Sequence, residues 1–405
     1  MNFIEGGVCA ARGFRASGIH VGVKTSNTDK KDLALIVSDC DCAAAAVYTK
    51  NVVKAAPLHI TKEHLSNGHA RIVLANSGNA NACAPDGEQN AQRSCRAVAD
   101  ALGLSEDDVI VASTGVIGQK LPVEVIENGV GELVAKLSYD GSGDAATAIM
   151  TTDLTKKECA VELEVGGKTV RIGGIAKGSG MIHPNMGTML AFLTTDCAIS
   201  PAMIGKALAD AARVSFNRIS VDGDTSTNDM LSLLANGMAG NDEIKEPGAD
   251  YEVFAQALNS LCIELAIMMA ADGEGATHLI TCRVSGAKNE DEAETLSKSV
   301  ISSTLTKAMI FGADANFGRA LCAMGYSGVD FDQYSVSVAF ESNAGRIAVC
   351  EKGRGLMFDE AIAKKILSEH DVTIDIGMSA GEAECTCWGC DITYDYIKIN
   401  GDYRS

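Results

Sequence analysis

Along the chain, runs in which apolar and polar residues alternate, or which are rich in β-branched residues, are mixed with segments of helical periodicity. This mixture is the sequence feature that most constrains the fold. Apolar residues recur at helical spacing in 86–102, 123–137, 201–215, 251–271, 292–310 and 359–369. Strand-like runs lie at 71–76, 109–114, 160–165, 168–176, 278–287, 334–340, 346–350 and 372–377. The pair Gly166-Gly167 between two such runs predicts a β-hairpin. Several hairpins beside separate helices predict a layered α+β architecture rather than a repeating βαβ chain.

The composition is that of a large globular protein. A chain of 405 residues with 46% hydrophobic residues, 41 glycines and only 6 prolines has material for two domains or two halves of one. We place the division near 188–200. The net charge is −19 and no basic cluster is visible, so a nucleic-acid partner is disfavoured, because binding phosphates needs concentrated Lys and Arg.

We expect the protein to be soluble and cytoplasmic. The opening MNFIEGGVCAARGF lacks the pattern of a secretory signal. Apolar stretches such as 264–271 are too short to cross a bilayer, so no membrane partner is expected. The 14 cysteines, without an export signal, indicate reduced thiols rather than a disulfide framework.

The stretch AKGSGMIHPNMGTMLAFLTTD, residues 176 to 196, brings a lysine, three glycines and a proline together just before an apolar run. Thr188 follows Gly187, and Lys177 lies earlier in the same stretch. A threonine hydroxyl needs a base to become a nucleophile, and cleavage of the preceding peptide bond supplies one as the threonine's own α-amino group, whose pKa of ~8 leaves it partly neutral. Gly187 has no Cβ and tolerates the strained geometry of that cleavage. A buried threonine at the start of a strand fits the spacing equally well.

Two further loops carry residues suited to a catalytic site. VASTGVIG, residues 111–118, places Thr114 directly after a strand-like run, where its hydroxyl and the backbone N–H groups of a turn could form an oxyanion hole. An ordinary turn at the end of a strand fits this pattern as well. ADGEGATH, residues 271–278, places Asp272 and Glu274 among glycines at a helix end, which suits either a cationic or amine-bearing ligand or a solvated turn.

Other motifs give weaker evidence of a metal, nucleotide or catalytic site. FNRISVDGDTSTND at 216–229 is rich in aspartate but lacks the spacing and terminal Glu of an EF-hand. GGIAKGSG and FGADANFG match neither the GxGxxG nor the P-loop pattern, so nothing specific indicates a nucleotide. CTCWGC at 385–390 offers cysteine ligands, but no CxxC or HxxxH motif elsewhere in the sequence would complete a zinc site, which disfavours zinc. His183 could act as a base, although packing within its loop suits it better.

Together these residues resemble the ornithine acetyltransferase family, whose members are also called glutamate N-acetyltransferases or arginine biosynthesis bifunctional proteins. Beyond the stretch that contains Thr188, the matching motifs are NSGNANAC (76–83), STGVIG (113–118), TTD (151–153), FNRISVDGDTSTND (216–229), DGEGAT (272–277), FGADANFGR (311–319) and WGCDITYDYIKINGDYRS (388–405). The resemblance runs from GFRASGIH at 13–20 to the last residue, and the order of its motifs makes it specific.

The resemblance implies that the acetyl group of N-acetyl-L-ornithine moves to L-glutamate through an acetyl-threonine intermediate, in a ping-pong reaction of cyclic arginine biosynthesis. It also implies a precursor that cleaves itself between Gly187 and Thr188 into an α chain of residues 1–187 and a β chain of residues 188–405. The implied fold is a layered αββα sandwich, which resembles N-terminal-nucleophile hydrolases but differs in topology. The processed chains are expected to assemble as α2β2.

Site residues follow from the resemblance position by position. Thr188 matches the nucleophile, and Thr114 and Gly115 match the oxyanion pair. The residues that match the substrate-binding positions are Thr152, Lys177, Thr188, Glu274, Asn400 and Ser405. The last two lie in a polar C-terminal tail that composition alone would leave frayed. No metal and no bound cofactor is implied, although some members also take the acetyl group from acetyl-CoA. His278 departs from the Lys expected there, and Ser405 stands where Thr is common.

Two other functions remain as alternatives. The same threonine could pass its acyl group to water, as in an amidase or aminopeptidase, and acetate release independent of glutamate would then be expected. A non-enzymatic acidic binding protein would never be processed and would keep one intact chain.

Overall fold

The structure is a computed structural model that describes residues 1–24, 30–183 and 189–402. The strands are β1 (Asn2–Ile4), β2 (Phe14–Ile19), β3 (Leu33–Tyr48), β4 (His69–Asn79), β5 (Val109–Val116), β6 (Lys157–Val165), β7 (Lys168–Lys177), β8 (Leu190–Thr195), β9 (Ile219–Ser220), β10 (Met230–Ala235), β11 (Leu279–Ala287), β12 (Ser337–Ser342), β13 (Gly345–Glu351), β14 (Arg354–Gly355), β15 (Asp371–Gly377) and β16 (Ala383–Cys390). The α-helices are α1 (Ala56–His64), α2 (Gly87–Leu102), α3 (Val123–Ala135), α4 (Ser142–Ile149), α5 (Pro201–Val214), α6 (Ala249–Ala271), α7 (Glu290–Ser302), α8 (Thr304–Phe311), α9 (Phe317–Gly325), α10 (Glu360–Leu367) and α11 (Tyr394–Gly401). Short 3₁₀ turns lie at Leu65–Asn67, Glu106–Asp108, Phe216–Arg218 and Gln333–Ser335.

These strands form two mixed sheets. The first has nine strands in the order β1-β6-β7-β8-β10-β3-β4-β5, with β2 paired to β3. The second has seven strands in the order β14-β13-β12-β15-β11-β16-β9. Parallel neighbours occur at β4–β5 and β8–β10 in the first sheet and at β11–β15 and β16–β9 in the second. The predicted α+β class is confirmed.

The first sheet folds over on itself at β3 and so forms two layers. The register of β3 against β4 shifts between Val37 and Cys42. The first half of β3 pairs with β2 and β4, whereas its second half pairs with β10. Apolar side chains from both layers share one core, with members Ile36, Val73, Ile110, Ile175, Phe192 and Met230. The two layers therefore face each other across that core.

Helices cover the outer face of each layer. On one side, residues of α2 and α3 such as Cys95 and Ile126 pack against strand residues such as Val111. On the other side, residues of α5 and α6 such as Leu208 and Leu261 pack against β6 to β8 and β10. The resulting order of helix, sheet, sheet and helix is the predicted αββα layering.

Helix α6 is a core helix. By length and composition alone it is apolar enough to cross a membrane. Its side chains Tyr251, Phe254, Leu258, Leu261 and Leu265 recur at three- and four-residue spacing and are buried. This stripe packs against the first sheet, which accounts for the apolar composition of the helix.

The second sheet has a core of its own. Ile280, Cys282 and Val284 of β11 alternate along the strand and are buried beneath α7, α9 and α10. The opposite face is charged, and Arg283 there donates a hydrogen bond of 2.8 Å to Asp375. Helices α7, α9 and α10 therefore cover one face of this sheet, while Leu279 and Trp388 pack against the core that contains α6.

Some elements differ from the sequence-based expectation. The predicted helix 292–310 is two helices, because α7 ends at Ser302 and the Ser303 side chain caps α8 by accepting a hydrogen bond from the Thr306 N–H. Residues 397–401 of the polar tail, which composition would leave frayed, belong to α11. The proposed bond between residues 187 and 188 falls in the connection between β7 and β8, which are neighbours in the first sheet. The two proposed chains therefore share one sheet.

Candidate active site

A cavity of about 310 Å³ opens at one edge of the two facing layers. Its lining residues are Thr114, Gly115, Val116, Ile117, Thr151, Thr152, Lys177, Gly180, Met181, Ile182, Met189, Leu190, Ser226, Thr227, Asn228, Asp229, Glu274 and Asn400. The six described residues of the predicted site all lie on this wall. Gly187, Thr188 and Ser405 lie outside the described residues. The cavity lies where β5 ends in one layer and β7 ends in the other.

The last residues of β5 include a glycine that the packing requires, and no turn begins at Thr114 as the sequence had suggested. Thr114 and Gly115 lie beside Ser77 and Gly78 of the parallel strand β4. Gly115 has φ +133°, and a Cβ built there would lie 2.3 Å from the carbonyl carbon of Gly78. The backbone of β5 therefore approaches β4 more closely than any residue with a side chain allows. This leaves the Thr114 hydroxyl on the wall of the cavity.

Lys177 is the last residue of β7, and its ammonium lies inside the cavity. The side chain is buried, and Nζ donates a hydrogen bond of 2.8 Å to the Thr151 hydroxyl. Nζ also lies 3.5 Å from Thr114 Oγ1 and 3.9 Å from the Asp153 carboxylate. Burial lowers the pKa of Lys177, and the nearby Asp153 carboxylate offsets part of that effect. The lysine is therefore a desolvated cation placed to attract an anionic group.

A buried network behind Lys177 was not predicted from the sequence. Lys157 donates hydrogen bonds of 2.8 Å to Asp153 and 2.6 Å to Asp272. Asp153 also accepts a hydrogen bond of 2.7 Å from the Gly178 N–H, next to Lys177. Burial alone would raise the pKa of Asp153, but Lys177 and Lys157 hold that pKa well below its usual range. Two motifs touched this network in the sequence, since TTD ends at Asp153 and DGEGAT begins at Asp272.

Glu274 supplies a carboxylate to the cavity. It is 8% exposed, and Oε2 accepts a hydrogen bond of 2.7 Å from Asn400 Nδ2. The Glu274 N–H donates to the Ser179 carbonyl at 2.8 Å, and the Ser179 hydroxyl is 2.7 Å from Thr152 Oγ1. A Cβ built on Gly180 would lie 2.3 Å from Glu274 Oε2. The glycine thus makes room for the carboxylate.

Helix α11 brings Asn400 to the cavity. The Thr393 side chain caps this helix by accepting from the Tyr396 N–H, and its hydroxyl donates 2.7 Å to the Gly275 carbonyl. The cap therefore ties the start of the helix to the loop that carries Glu274. None of the α11 residues is buried, and the helix is held by this cap contact, by the hydrogen bond of Asn400 to Glu274 and by the edge-on contact of Tyr394 with Phe311.

Residues 226–229 close the floor of the cavity. Asn228 Nδ2 donates hydrogen bonds of 2.8 Å to the Ser113 carbonyl and 2.6 Å to the Ala80 carbonyl, and so joins the two layers. Asp229 is buried, and its Oδ2 has no hydrogen-bond partner among the described residues. Neither residue was predicted. Both lie inside FNRISVDGDTSTND, a motif of the family resemblance for which the sequence analysis assigned no site residue.

The histidines that the sequence singled out lie away from the lining. His183 Nδ1 is 3.0 Å from the Ser220 hydroxyl, and burial lowers the pKa of His183 to about 4. His278 Nδ1 lies 2.8 Å from Asp391, beside the Thr277 hydroxyl. Both rings are therefore engaged with side chains outside the cavity wall.

The loop 216–229 and the cysteines of β16 are engaged within the protein. Asp222 accepts hydrogen bonds from the N–H groups of Met181 and Ile182, at 2.6 and 2.9 Å. These bonds hold the backbone of Met181 and Ile182 in place. Cys387 is buried and lies opposite Cys282 in the ladder of β11 and β16. Among the residues with described positions, no group of three or more His, Cys, Asp or Glu side chains is arranged to hold a metal ion.

The cavity carries both signs of charge within a small volume. Lys177 lies near Thr114 at the end of β5, and Glu274 lies on the wall that Asn400 completes. Such a site suits a zwitterion, whose carboxylate and ammonium require opposite partners. The apolar side chains of Ile117 and Met189 supply the remaining wall.

Comparison with known proteins gives a consistent result. A sequence profile of the ArgJ family matches residues 15–405. The arginine biosynthesis bifunctional protein ArgJ of Symbiobacterium thermophilum is 49% identical over 406 residues, which is 100% of each chain. The ArgJ 1 protein of Clostridium acetobutylicum is 47% identical over 393 residues, which is 97% of this chain and 96% of that protein. A solved structure of ornithine acetyltransferase from Mycobacterium tuberculosis, complexed with ornithine, is 38% identical, with a TM-score of 0.42, and covers 47% of this chain and 99% of that chain.

Proposed function

The chain belongs to the ArgJ family, and from that premise we propose how its cavity carries out acetyl transfer. The protein is an acetyltransferase of arginine biosynthesis, of the ornithine acetyltransferase and glutamate N-acetyltransferase type. We assign the donor as N-acetyl-L-ornithine and the acceptor as L-glutamate. The observation that supports this assignment is that Lys177, Glu274 and the Thr114-Gly115 end of β5 line one cavity.

The first proposed step is self-cleavage at the bond between Gly187 and Thr188. Attack of the Thr188 hydroxyl on the Gly187 carbonyl turns the amide into an ester, and water then releases the Gly187 carboxylate and a free Thr188 amine. The products would be chains of 187 and 218 residues (405 − 187 = 218). Lys177 and Leu190, which flank the connection that contains this bond, are paired in neighbouring strands and both line the cavity.

In the second step the Thr188 hydroxyl attacks the acetyl carbonyl of N-acetyl-L-ornithine. Its own free amine accepts the hydroxyl proton, because that amine is partly neutral near pH 7. The negative charge on the carbonyl oxygen is stabilised by the Thr114 hydroxyl and by the backbone at Gly115, and each such donor contributes about 3 kcal/mol. Collapse of the tetrahedral species passes the proton to the leaving nitrogen and releases ornithine. Acetyl-Thr188 remains.

The third step reverses the second with a different amine. Glutamate enters the emptied cavity, and its neutral α-amine attacks the acetyl-Thr188 carbonyl. The Thr188 amine accepts the proton from glutamate and returns it to the departing threonine oxygen, which yields N-acetyl-L-glutamate and the free enzyme. An amide is broken and an amide is formed, so the cycle needs no nucleotide. Water must be kept out while the ester exists.

Substrate recognition follows from the two charges of the cavity. Lys177 pairs with the substrate carboxylate and Glu274 with a substrate ammonium. Thr152 and Asn400 supply neutral hydrogen-bonding groups around them, and Ser405 completes this set. The same acetyl-threonine can also form from acetyl-CoA, so we propose amino acids as the principal ligands and acetyl-CoA as a second donor to be tested.

The two chains would stay associated after cleavage, because both supply strands to the first sheet. We propose an α2β2 assembly in the cytoplasm. Sedimentation of the processed protein tests the assembly, since an αβ pair would have half the mass.

The central experiment combines mass measurement with an acetyl-transfer assay. Mass measurement under denaturing conditions is expected to show two chains, and N-acetylornithine with glutamate is expected to yield N-acetylglutamate. Thr188→Ala should remain one chain and lose transfer, whereas Thr147→Ala, at an exposed threonine of α4, should behave as wild type. A processed and active Thr188→Ala variant would overturn the proposed nucleophile. Acetate release that is independent of glutamate would instead indicate a hydrolase.

A further inference from the structure

Thr151 lines the cavity but has no role in the reaction proposed above. It is the first residue of the TTD motif, whereas the family resemblance assigns substrate binding to its neighbour Thr152. The Thr152 hydroxyl lies 2.7 Å from the Ser179 hydroxyl. The Thr151 hydroxyl instead lies 2.8 Å from Lys177 Nζ. The two adjacent threonines therefore have different partners, and the one that contacts the cavity lysine is the unassigned one.

The hydrogen bond between Lys177 and Thr151 has a fixed direction. An ammonium carries three N–H donors and no acceptor, so Thr151 Oγ1 accepts from Lys177. The hydrogen of the Thr151 hydroxyl is left over, and within the described chain no group accepts it. Lys177 Nζ lies 3.5 Å from Thr114 Oγ1, at the outer limit of a hydrogen bond, and 3.9 Å from Asp153, beyond that limit. Both side chains can therefore still donate to a ligand in the cavity.

The backbone around Thr151 is held from both sides. The Thr151 N–H donates a hydrogen bond of 3.0 Å to the Asp153 carboxylate, which in turn accepts from the buried Lys157 at 2.8 Å. The carbonyl of the preceding residue, Met150, accepts a hydrogen bond of 2.8 Å from Lys24 Nζ. The hydroxyl is thus in place before a ligand arrives, which reduces the entropic cost of binding.

Two adjacent donors, one of them charged, suit a carboxylate. A carboxylate only accepts hydrogen bonds, and its two oxygens can accept from two donors at once. The two donor atoms, Lys177 Nζ and Thr151 Oγ1, are 2.8 Å apart, so each can serve a different oxygen of the same group. A single hydroxyl without the lysine would lack the charge, and the lysine alone would leave one oxygen without a partner.

The α-carboxylate is the group that the two proposed substrates share. N-acetyl-L-ornithine ends in an ammonium and L-glutamate in a second carboxylate, so their side chains cannot use the same partner. In both, the α-carboxylate lies one carbon from the nitrogen that gives or takes the acetyl group. We propose that Thr151 is a substrate-binding residue whose hydroxyl, oriented by Lys177, donates a hydrogen bond to this α-carboxylate. The inference rests on the proposed function, because it takes Lys177 as the cation that binds the carboxylate.

The first test removes the hydroxyl and keeps the shape of the side chain. We expect Thr151→Val to raise KM for N-acetylornithine and for glutamate by similar factors of about tenfold or more, because a hydrogen bond to a charged group contributes about that much. Chain cleavage should proceed, since it involves no substrate, and kcat should change little. Thr151→Ser restores a hydroxyl and should recover most of the affinity. Thr147→Val, at an exposed threonine of α4, is the matched control.

A change of acceptor separates this contact from a general disturbance of Lys177. The compound 4-aminobutanoate is glutamate without its α-carboxylate. The ratio of kcat/KM between wild type and Thr151→Val should be about tenfold or more with glutamate and close to one with 4-aminobutanoate. Equal ratios for the two acceptors would overturn the inference. A fall in kcat with unchanged KM would also overturn it, since the hydroxyl would then act on the transition state alone.

Binding of L-ornithine, measured by calorimetry, gives an answer without turnover. Ornithine carries the α-carboxylate but no acetyl group, and it should bind Thr151→Val about tenfold or more weakly than wild type. Equal affinities would refute the role of Thr151. A wild-type protein that binds ornithine but transfers no acetyl group would count against the proposed function alone. Melting temperatures identify a variant that fails to fold, and Thr151→Ala, which also lacks the hydroxyl, then replaces Thr151→Val.

Discussion

Lys157 and Asp153 form an ion pair inside the protein, with Nζ 2.8 Å from Oδ1 and side-chain exposures of 1% and 0%. The same carboxylate accepts a hydrogen bond from the Gly178 N–H and lies 3.9 Å from Lys177 Nζ. The pair therefore joins the start of β6 to the end of β7, where the cavity begins. Lys177 owes its position to a carboxylate that itself never reaches the cavity wall.

We expect Asp153→Asn to lower the free energy of unfolding by about 3 kcal/mol, because it leaves Lys157 buried with only part of its counter-charge. Chemical denaturation measures this difference. Asp210→Asn, at an exposed carboxylate of α5, should change it by less than about 0.5 kcal/mol. Equal effects of the two substitutions would contradict a structural role for the buried pair.

Lowering the pH should reduce the free energy of unfolding through the Asp153 carboxyl group. Asp153 has a pKa held below its usual range in the folded state, since Lys177 and Lys157 outweigh the effect of burial. Its stabilising contribution is present above the unfolded pKa of about 3.9 and is lost as pH falls from there through the lower folded pKa. Wild type should therefore lose more free energy of unfolding between about pH 5 and pH 2 than Asp153→Asn loses. Parallel pH profiles for the two proteins would rule this out.

Lys177→Met should impair substrate binding more than chain cleavage. Removal of the ammonium leaves a substrate carboxylate desolvated without its partner, so KM for N-acetylornithine and for glutamate should each rise about 30-fold or more. Steady-state assays with each substrate varied in turn measure this. Lys206→Met, at an exposed lysine of α5, serves as the control. Unchanged KM values would show that Lys177 does not contribute to substrate binding.

Gly180→Ala should act on the site through Glu274. The added methyl carbon would lie 2.3 Å from Glu274 Oε2, so the carboxylate must turn away from Asn400. We expect kcat/KM to fall about tenfold or more while self-cleavage proceeds. Gly131→Ala places a methyl group where nothing lies within 4 Å on helix α3, and there we expect a small gain in stability, about 0.5 to 1 kcal/mol. Normal kinetics for Gly180→Ala would show that Glu274 need not hold this position.

The described residues of the predicted site share one cavity lining, and their roles remain predictions. Thr114, Lys177 and Glu274 could be named because each lies in a short motif with a recognisable arrangement of glycines and hydroxyls. Their convergence on one cavity comes from the folding over of β3. Local periodicity does not encode that event, because it depends on a register shift between Val37 and Cys42.

The residues that sequence analysis missed are buried polar groups. Lys157 lies at the start of a strand where a charged residue is ordinarily solvated, and Asn228 and Asp229 lie in a loop whose hydroxyls and aspartates resemble any polar turn. Their roles become visible only when partners distant in the chain, such as Asp272 and Ser113, are brought within hydrogen-bond distance. Helix α11 was missed for a related reason, since it has no buried face to create a periodic pattern.

Strands β8 and β10 lie between β7 and β3, so residues after the proposed cut are held on both sides by residues before it. Such an interleaved arrangement is reached readily while the polypeptide is continuous, because the linkage keeps both parts at high local concentration. Once cut, the two pieces must meet by diffusion. The native fold of the mature enzyme would then be accessible mainly from the uncleaved precursor. We expect the denatured mature enzyme to refold poorly and the uncleaved Thr188→Ala chain to refold well.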